Sequence, residues 1–165
     1  MEENLNLSEQ QQQDIFEAHE EYVDASQGNR FVNWLIDNLF MRFALSYATA
    51  YVVGYLLSIV APDFLLSLAY EEETSGKMIL LGLIIGYFNY FVYYTICEAA
   101  FKGYTLGKLL TGTRAVRNDG QALTFKDAIL RSLSRMVPFE VFSALGNPIS
   151  PWHDTWTNTR VVKVR

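Results

Sequence analysis

The chain has 165 residues, half of them apolar, 15% aromatic and 19% charged, with a formal net charge of −5. That length holds one domain, and the balance is too apolar for an ordinary soluble domain yet too charged for a chain lying wholly in lipid. An acidic chain without a concentrated basic stripe argues against nucleic acid as a partner.

Residues 1–29 carry eight carboxylates and no Lys or Arg, so all 13 basic residues come later. Residues 1–21 read as an acidic N-terminal arm, distinct from a membrane domain over residues 22–165. Ser8 with Gln11 fits a capping box, but the arm has too few large apolar residues for a core. It is either a solvated tail or an arm that docks on a partner. An acidic start is the opposite of a cleaved signal, so targeting is expected from the first spanning helix.

The first strong signal is residues 43–60 (FALSYATAYVVGYLLSIV), 18 residues without a charge, the threshold for a spanning helix. The helical pattern starts earlier, across Asp37 and Arg42, so the span is set at about 39–60 with its first turns in the interface. Pro62 and Asp63 end it. The second signal is residues 78–101 (MILLGLIIGYFNYFVYYTICEAAF), whose one charge is Glu98. Residues 61–77 between the spans are acidic, whereas residues 102–126 hold Lys102, Lys108, Arg114, Arg117 and Lys126. The positive-inside rule makes the second connection and the N-terminus cytoplasmic and the first connection external.

Residues 113–124 (TRAVRNDGQALT) predict a hairpin turning at Asp119-Gly120, and residues 159–165 (TRVVKVR) can add a third strand to a small cytoplasmic sheet. Residues 125–146 are helical in pattern but carry Asp127, Arg131, Arg135 and Glu140, with Pro138 in the middle. Charges at bilayer depth are expensive, which favours an interfacial helix with a re-entrant piece; the alternative is a third full span. The fold class expected is thus all-α integral membrane, with a small β-hairpin sheet.

The segments 22–37 (YVDASQGNRFVNWLID), 103–114 (GYTLGKLLTGTR) followed by Asp119-Gly120, and 152–162 (WHDTWTNTRVV) resemble the RDD family of bacterial membrane proteins. The resemblance covers about residues 22–165. The family is named for one Arg and two Asp, which fall here on Arg30, Asp37 and Asp154. Thr155 and Trp156 depart from the family's frequent Arg and Leu. The resemblance implies a multi-pass protein of the bacterial inner membrane. It also carries a transport role often suggested for the family, including cation/proton exchange.

Arg30 and Asp37 are seven residues apart, so they share one helical face about 20° out of line. They stand too far apart to pair with each other, which sends each to another partner; Asp154 can reach Arg30 or Arg42. Glu98 is either a site residue or an interfacial one near Lys102. Ser46, Ala50, Gly54 and Ser58, and the pair Gly82 and Gly86, form small-residue ladders suited to close helix packing within the chain or between copies. Gly103–Lys108 lacks the spacing and the Ser or Thr of a phosphate loop. Two His and the lone Cys97 do not compose a zinc site, and His153 beside Asp154 is no triad. The expectation is therefore no enzyme, no metal and no cofactor. It is a membrane subunit that binds other membrane proteins or copies of itself in the lipid bilayer, or alternatively an oligomeric transporter.

Overall fold

The computed structural model describes residues 22–71, 75–146 and 148–164; the acidic arm of residues 1–21 lies outside the described residues. The first long helix runs over Gln27–Val60, 34 residues, and so continues the expected 39–60 span upstream through the helical stretch across Asp37 and Arg42. Ser26 opens it in extended backbone, and its hydroxyl accepts the Asn29 N–H at 3.2 Å, the usual repair of an orphan donor. The helix comes in three pieces: α1 (Gln27–Phe40), a π turn (Met41–Leu45) and α2 (Ser46–Val60). At 1.5 Å per residue it is roughly 50 Å long, so only about its second half matches a hydrocarbon core of about 30 Å. Burial divides at the same place. α1 buries Asn33 and Asp37, whereas α2 buries no residue.

Ala61 (φ −147°, ψ 65°) breaks the helix and Pro62 starts another, α3 (Pro62–Ala69). The sequence predicts only a loop here, because Pro-Asp reads as a stop; at a first helical position, however, proline loses no hydrogen bond. α4 (Gly76–Ala100, 25 residues) is opened by Ser75, whose hydroxyl accepts from the Met78 N–H. It matches the expected 78–101 closely. Its end is closed by the Gly103 N–H bonding Glu98 O at 2.8 Å, with Lys102 in left-handed backbone, a Schellman-type stop. Gly103 (φ +94°) has no substitute, since a Cβ there would stand 2.0 Å from Ala115 O. α4 meets the first helix through Met41, Tyr93 and Tyr94, and Thr49 donates to Asn89 Oδ1 at 2.8 Å.

After α4 come α5 (Leu106–Thr111), β1 (Thr113–Arg117), α6 (Phe125–Arg135), a 3₁₀ turn (Glu140–Leu145), α7 (Trp152–Thr155) and β2 (Thr159–Lys163). β1 and β2 pair antiparallel, with Thr113 opposite Lys163 and Arg117 opposite Thr159. The expected three-stranded sheet is reduced to these two strands. The chain does turn at Asp119-Gly120, but the return strand shrinks to one bridge, Val116 to Ala122. Thr124 cuts it short by becoming the cap of α6. The other edge is occupied instead by the segment before α1: Asp24 bridges Val162, and the Ala25 N–H donates to Val161 O at 2.9 Å. Ala25, Ala115, Leu123 and Val161 form the small core under this sheet.

The helix expected over residues 125–146 exists only as far as Arg135. Thr124 and Asp127 make a reciprocal capping box at its start, and its 11 residues rise about 16 Å, half of a hydrocarbon core. Pro138 excludes helical backbone from the residue before it; Phe139 turns left-handed at φ 70°, and the 3₁₀ turn follows. Gln27 Nε2 then donates to Gly146 O at 3.1 Å, returning the chain to the start of α1. The third full span considered from the sequence is therefore not formed, and β2 lies at the end of the molecule where α1 begins. The result is a mostly helical chain with two helices long and apolar enough to cross a membrane and a small two-stranded sheet.

A buried charge network as the candidate functional site

Six elements converge between the sheet and the nearby ends of the two long helices. α1 supplies Arg30, Asn33 and Asp37 from one face. α4 supplies Glu98 from its last turns, α5 supplies Lys108, α6 supplies Arg131 and Arg135 one turn apart, and α7 supplies His153 and Asp154. β2 adds Thr159.

Glu98 is fully buried and receives three cations. Lys108 Nζ lies 2.5 Å and Arg135 Nη2 2.8 Å from Oε1, and Arg131 Nε lies 2.9 Å from Oε2. Arg131, also fully buried, continues to Asp154, with Nη1 2.6 Å from Oδ1, and to the Thr159 hydroxyl. Asp154 Oδ2 accepts from Arg30 Nη1 at 2.6 Å. Arg30 also donates to the carbonyls of Ala25 and Val161, which ties the first helix to the sheet. Glu140, on the 3₁₀ turn, faces His153 Nδ1 at 2.5 Å. Arg135 additionally stacks over Tyr94, 4.4 Å from the ring centroid.

Asp37 is different. It is 1% exposed, and its hydrogen-bond donors are all uncharged: Tyr93 OH at 2.7 Å, Thr105 Oγ1 at 2.7 Å and the Gly107 N–H at 2.8 Å. Gly107 must be glycine for this, because a Cβ would come 2.3 Å from Asn33 O; its absence lets α5 lie directly on the backbone of α1. Asn33, between Arg30 and Asp37, bonds the hydroxyls of Thr111 and Thr113. A cavity of about 140 Å³ is bordered by Arg30, Asp37, Lys108, Arg135, Glu140 and His153.

The protonation tendencies follow from burial and neighbours. Burial works to raise the Asp154 carboxyl, but Arg131, His153 and Arg30 overcome it and hold the group well below the usual carboxylate range. Burial brings the Lys108 ammonium down to about 8 against the pull of Glu98. Burial also lowers the His153 imidazole to about 4, so it is neutral near pH 7. Glu140 is lowered despite its burial, by its bond from His153.

The structure thus brings Arg30, Asp154 and Glu98 into one network and sets Asp37 beside it, without an Arg partner among the described residues. Of the two partners the sequence offers Asp154, Arg30 is the one it meets; Arg42, about three helical turns further along the first helix, stands apart, exposed on the π turn. Gly54, Gly82 and Gly86 do not serve helix packing inside the chain either, since a Cβ on any of them would meet nothing within 4 Å. Lys108, Arg131, Arg135, Glu140 and His153 are network members that the sequence does not single out. The available signal was the pair of arginines four apart on a helix beside apolar spans, which demand carboxylate partners.

A sequence model of the RDD family matches residues 25–157, a stretch that contains every charged member of this network. Neither a curated protein nor a solved structure gives a match. The family match and the two apolar helices together indicate a membrane protein. With most of its length matched, the chain belongs to the RDD family.

Proposed function

We propose that the protein is a multi-pass component of the bacterial inner membrane that acts as an interaction subunit, assembling with copies of itself or with other membrane proteins. The observation that carries this reading is the contrast between its two halves. The charged side chains of one half are turned inward onto one another, with four cations (Arg30, Lys108, Arg131, Arg135) on Glu98 and Asp154 and with Glu140 on His153. The apolar half is open: no residue of α2 is buried, and Tyr47, Tyr51 and Tyr55 are 71%, 78% and 61% exposed along one face. A tyrosine hydroxyl at bilayer depth wants a partner that lipid tails do not offer. The positive-inside rule supports a cytoplasmic side for the Lys- and Arg-bearing sheet end.

The experiment is mild detergent extraction of the full chain followed by mass measurement of the assembly. A stoichiometric complex that Gly54→Leu breaks while the chain stays folded supports the reading; a monomer in every mild detergent refutes it. External labelling of a cysteine at Ser75, but not at Asn118 or Lys163, checks the placement.

One observation favours the second reading, transport. Asp37 is a buried carboxylate without a basic partner among the described residues, bordering the 140 Å³ cavity, a place that suits a proton or small cation. Cation- or pH-driven flux in proteoliposomes tests it directly.

A further inference from the structure

A second, larger cavity of about 430 Å³ runs from the edge of the network along α4. Its walls are Gly82, Gly86 and Tyr87 of α4, Trp34 of α1, and the turn around Phe139 that follows α6. The missing Cβ atoms at Gly82 and Gly86, which face open space, leave the groove its depth. Phe139 is 74% exposed and offers a further apolar wall.

Among the described lining residues Arg135 is the one cation and Glu140 the one acid. Glu140 is engaged by His153. The Arg135 side chain is 6% exposed; its Nη2 serves Glu98, but its buried Nη1 has no hydrogen-bond partner among the described residues. A guanidinium nitrogen without an acceptor is an incomplete arrangement. Arg135 sits beside Tyr94. From there Gly86 and Gly82 lie eight and twelve residues back along α4, or about 12 and 18 Å toward the middle of a spanning helix.

We infer that this groove binds one phospholipid, its phosphate accepting from Arg135 at the network end and an acyl chain lying against Gly82 and Gly86. A cation at one end of an apolar channel, on a helix of spanning length, fits a molecule that is anionic at one end and apolar for the rest. A free anion would use the Arg135 end alone and leave the apolar length empty. This inference is independent of whether the protein assembles or transports.

The test uses the full chain, delipidated in mild detergent, with thermal stability and retained lipid read after adding phosphatidylglycerol, or inorganic phosphate alone. The expected result is one retained lipid per chain and a raised melting temperature with phosphatidylglycerol, and no shift with phosphate. Arg135→Gln should lose retention but also disturbs Glu98. The decisive variant is therefore Gly86→Leu, which fills the groove without touching the network and should lose retention while keeping the melting temperature of the delipidated protein. A phosphate shift equal to that of the lipid, or full retention by Gly86→Leu, overturns the proposal. So does a change of oligomeric state in Gly86→Leu with lipid binding intact, which would make the groove a protein interface.

Discussion

Arg30 Nη1 and Asp154 Oδ2 meet at 2.6 Å although 124 residues separate them in the chain. The pair joins the start of the first long helix to the turn before the last strand, and through Arg131 it reaches Glu98 on the second long helix. Two of the three residues for which the family is named are therefore partners, while the third, Asp37, belongs to a separate set of uncharged donors.

Removing the carboxylates at the centre of this network should be costly. Glu98→Gln leaves three cations facing a neutral amide, and breaking a buried pair from one side costs about 3–5 kcal/mol. Asp154→Asn takes the carboxylate from Arg30 and leaves Arg131 with Glu98 alone, and belongs at the lower end of that range. Lys108→Met should cost less, because burial already works against the ammonium. Chemical denaturation in detergent gives the order; a Glu98→Gln protein as stable as the parent would show that the network is not integral to the fold.

Asp37→Ala should leave Tyr93 OH, Thr105 Oγ1 and the Gly107 N–H without their acceptor, at about 1–3 kcal/mol for each donor left unsatisfied. Asp37→Asn keeps an acceptor and should cost only a fraction of that, which makes it the useful variant. Stability and proteoliposome flux are measured on one preparation. Flux that is present in the parent and lost in a folded Asp37→Asn protein supports transport, and flux that survives removes this carboxylate from it.

Acid should weaken the protein through His153. Its imidazole is lowered from 6.5 to about 4 in the fold, so between those values the unfolded chain binds the extra proton. The contribution is complete above pH 6.5 and is lost as pH falls toward 4, on the order of 3 kcal/mol for so buried a group. Asp154, also lowered, adds its own loss only below about 3.8. His153→Gln should flatten the stability profile between pH 6.5 and 4; a parent profile already flat there would contradict a neutral imidazole.

The glycines divide into two kinds with opposite expectations. Gly107→Ala forces a methyl group to 2.3 Å from Asn33 O, so it should push α5 off α1 and unhook the Gly107 N–H from Asp37. Gly54→Ala meets nothing and should be neutral or stabilise by up to about 1 kcal/mol through helix propensity. Comparing the melting temperatures of the two single variants reads the difference.

The two helices of spanning length were legible because a long uncharged run has few alternatives, and Arg30 and Asp37 through the family resemblance, with their spacing of seven fixing one face. Their partners were not. Glu98 and Arg131 stand 33 residues apart in the chain and meet only through the packing of α4 on α6, which no local period encodes. The cost of Arg131 and Arg135 near a membrane was readable, and it placed their helix correctly outside a full span. That the same cost is met by Glu98, which from sequence looked equally like an interfacial neighbour of Lys102, required the third dimension. The hairpin was overextended because alternation in residues 121–124 competes with a capping box at Thr124, and the cap prevails.

The π turn at Met41–Leu45 separates the helix face that serves the charge network from the face that serves the membrane half. A π turn holds one residue more than an α turn, so the two faces are set in different angular registers. Deleting a single residue there would restore ordinary helix and swing the whole of α2 by about 100°. Thr49 would move away from Asn89, and a new side of the helix would face outward. Relatives of this chain should therefore match it on either side of these five residues with the count shifted by one wherever the turn is absent, so the exposed apolar surface can be re-aimed by a change that leaves the buried charge network in place.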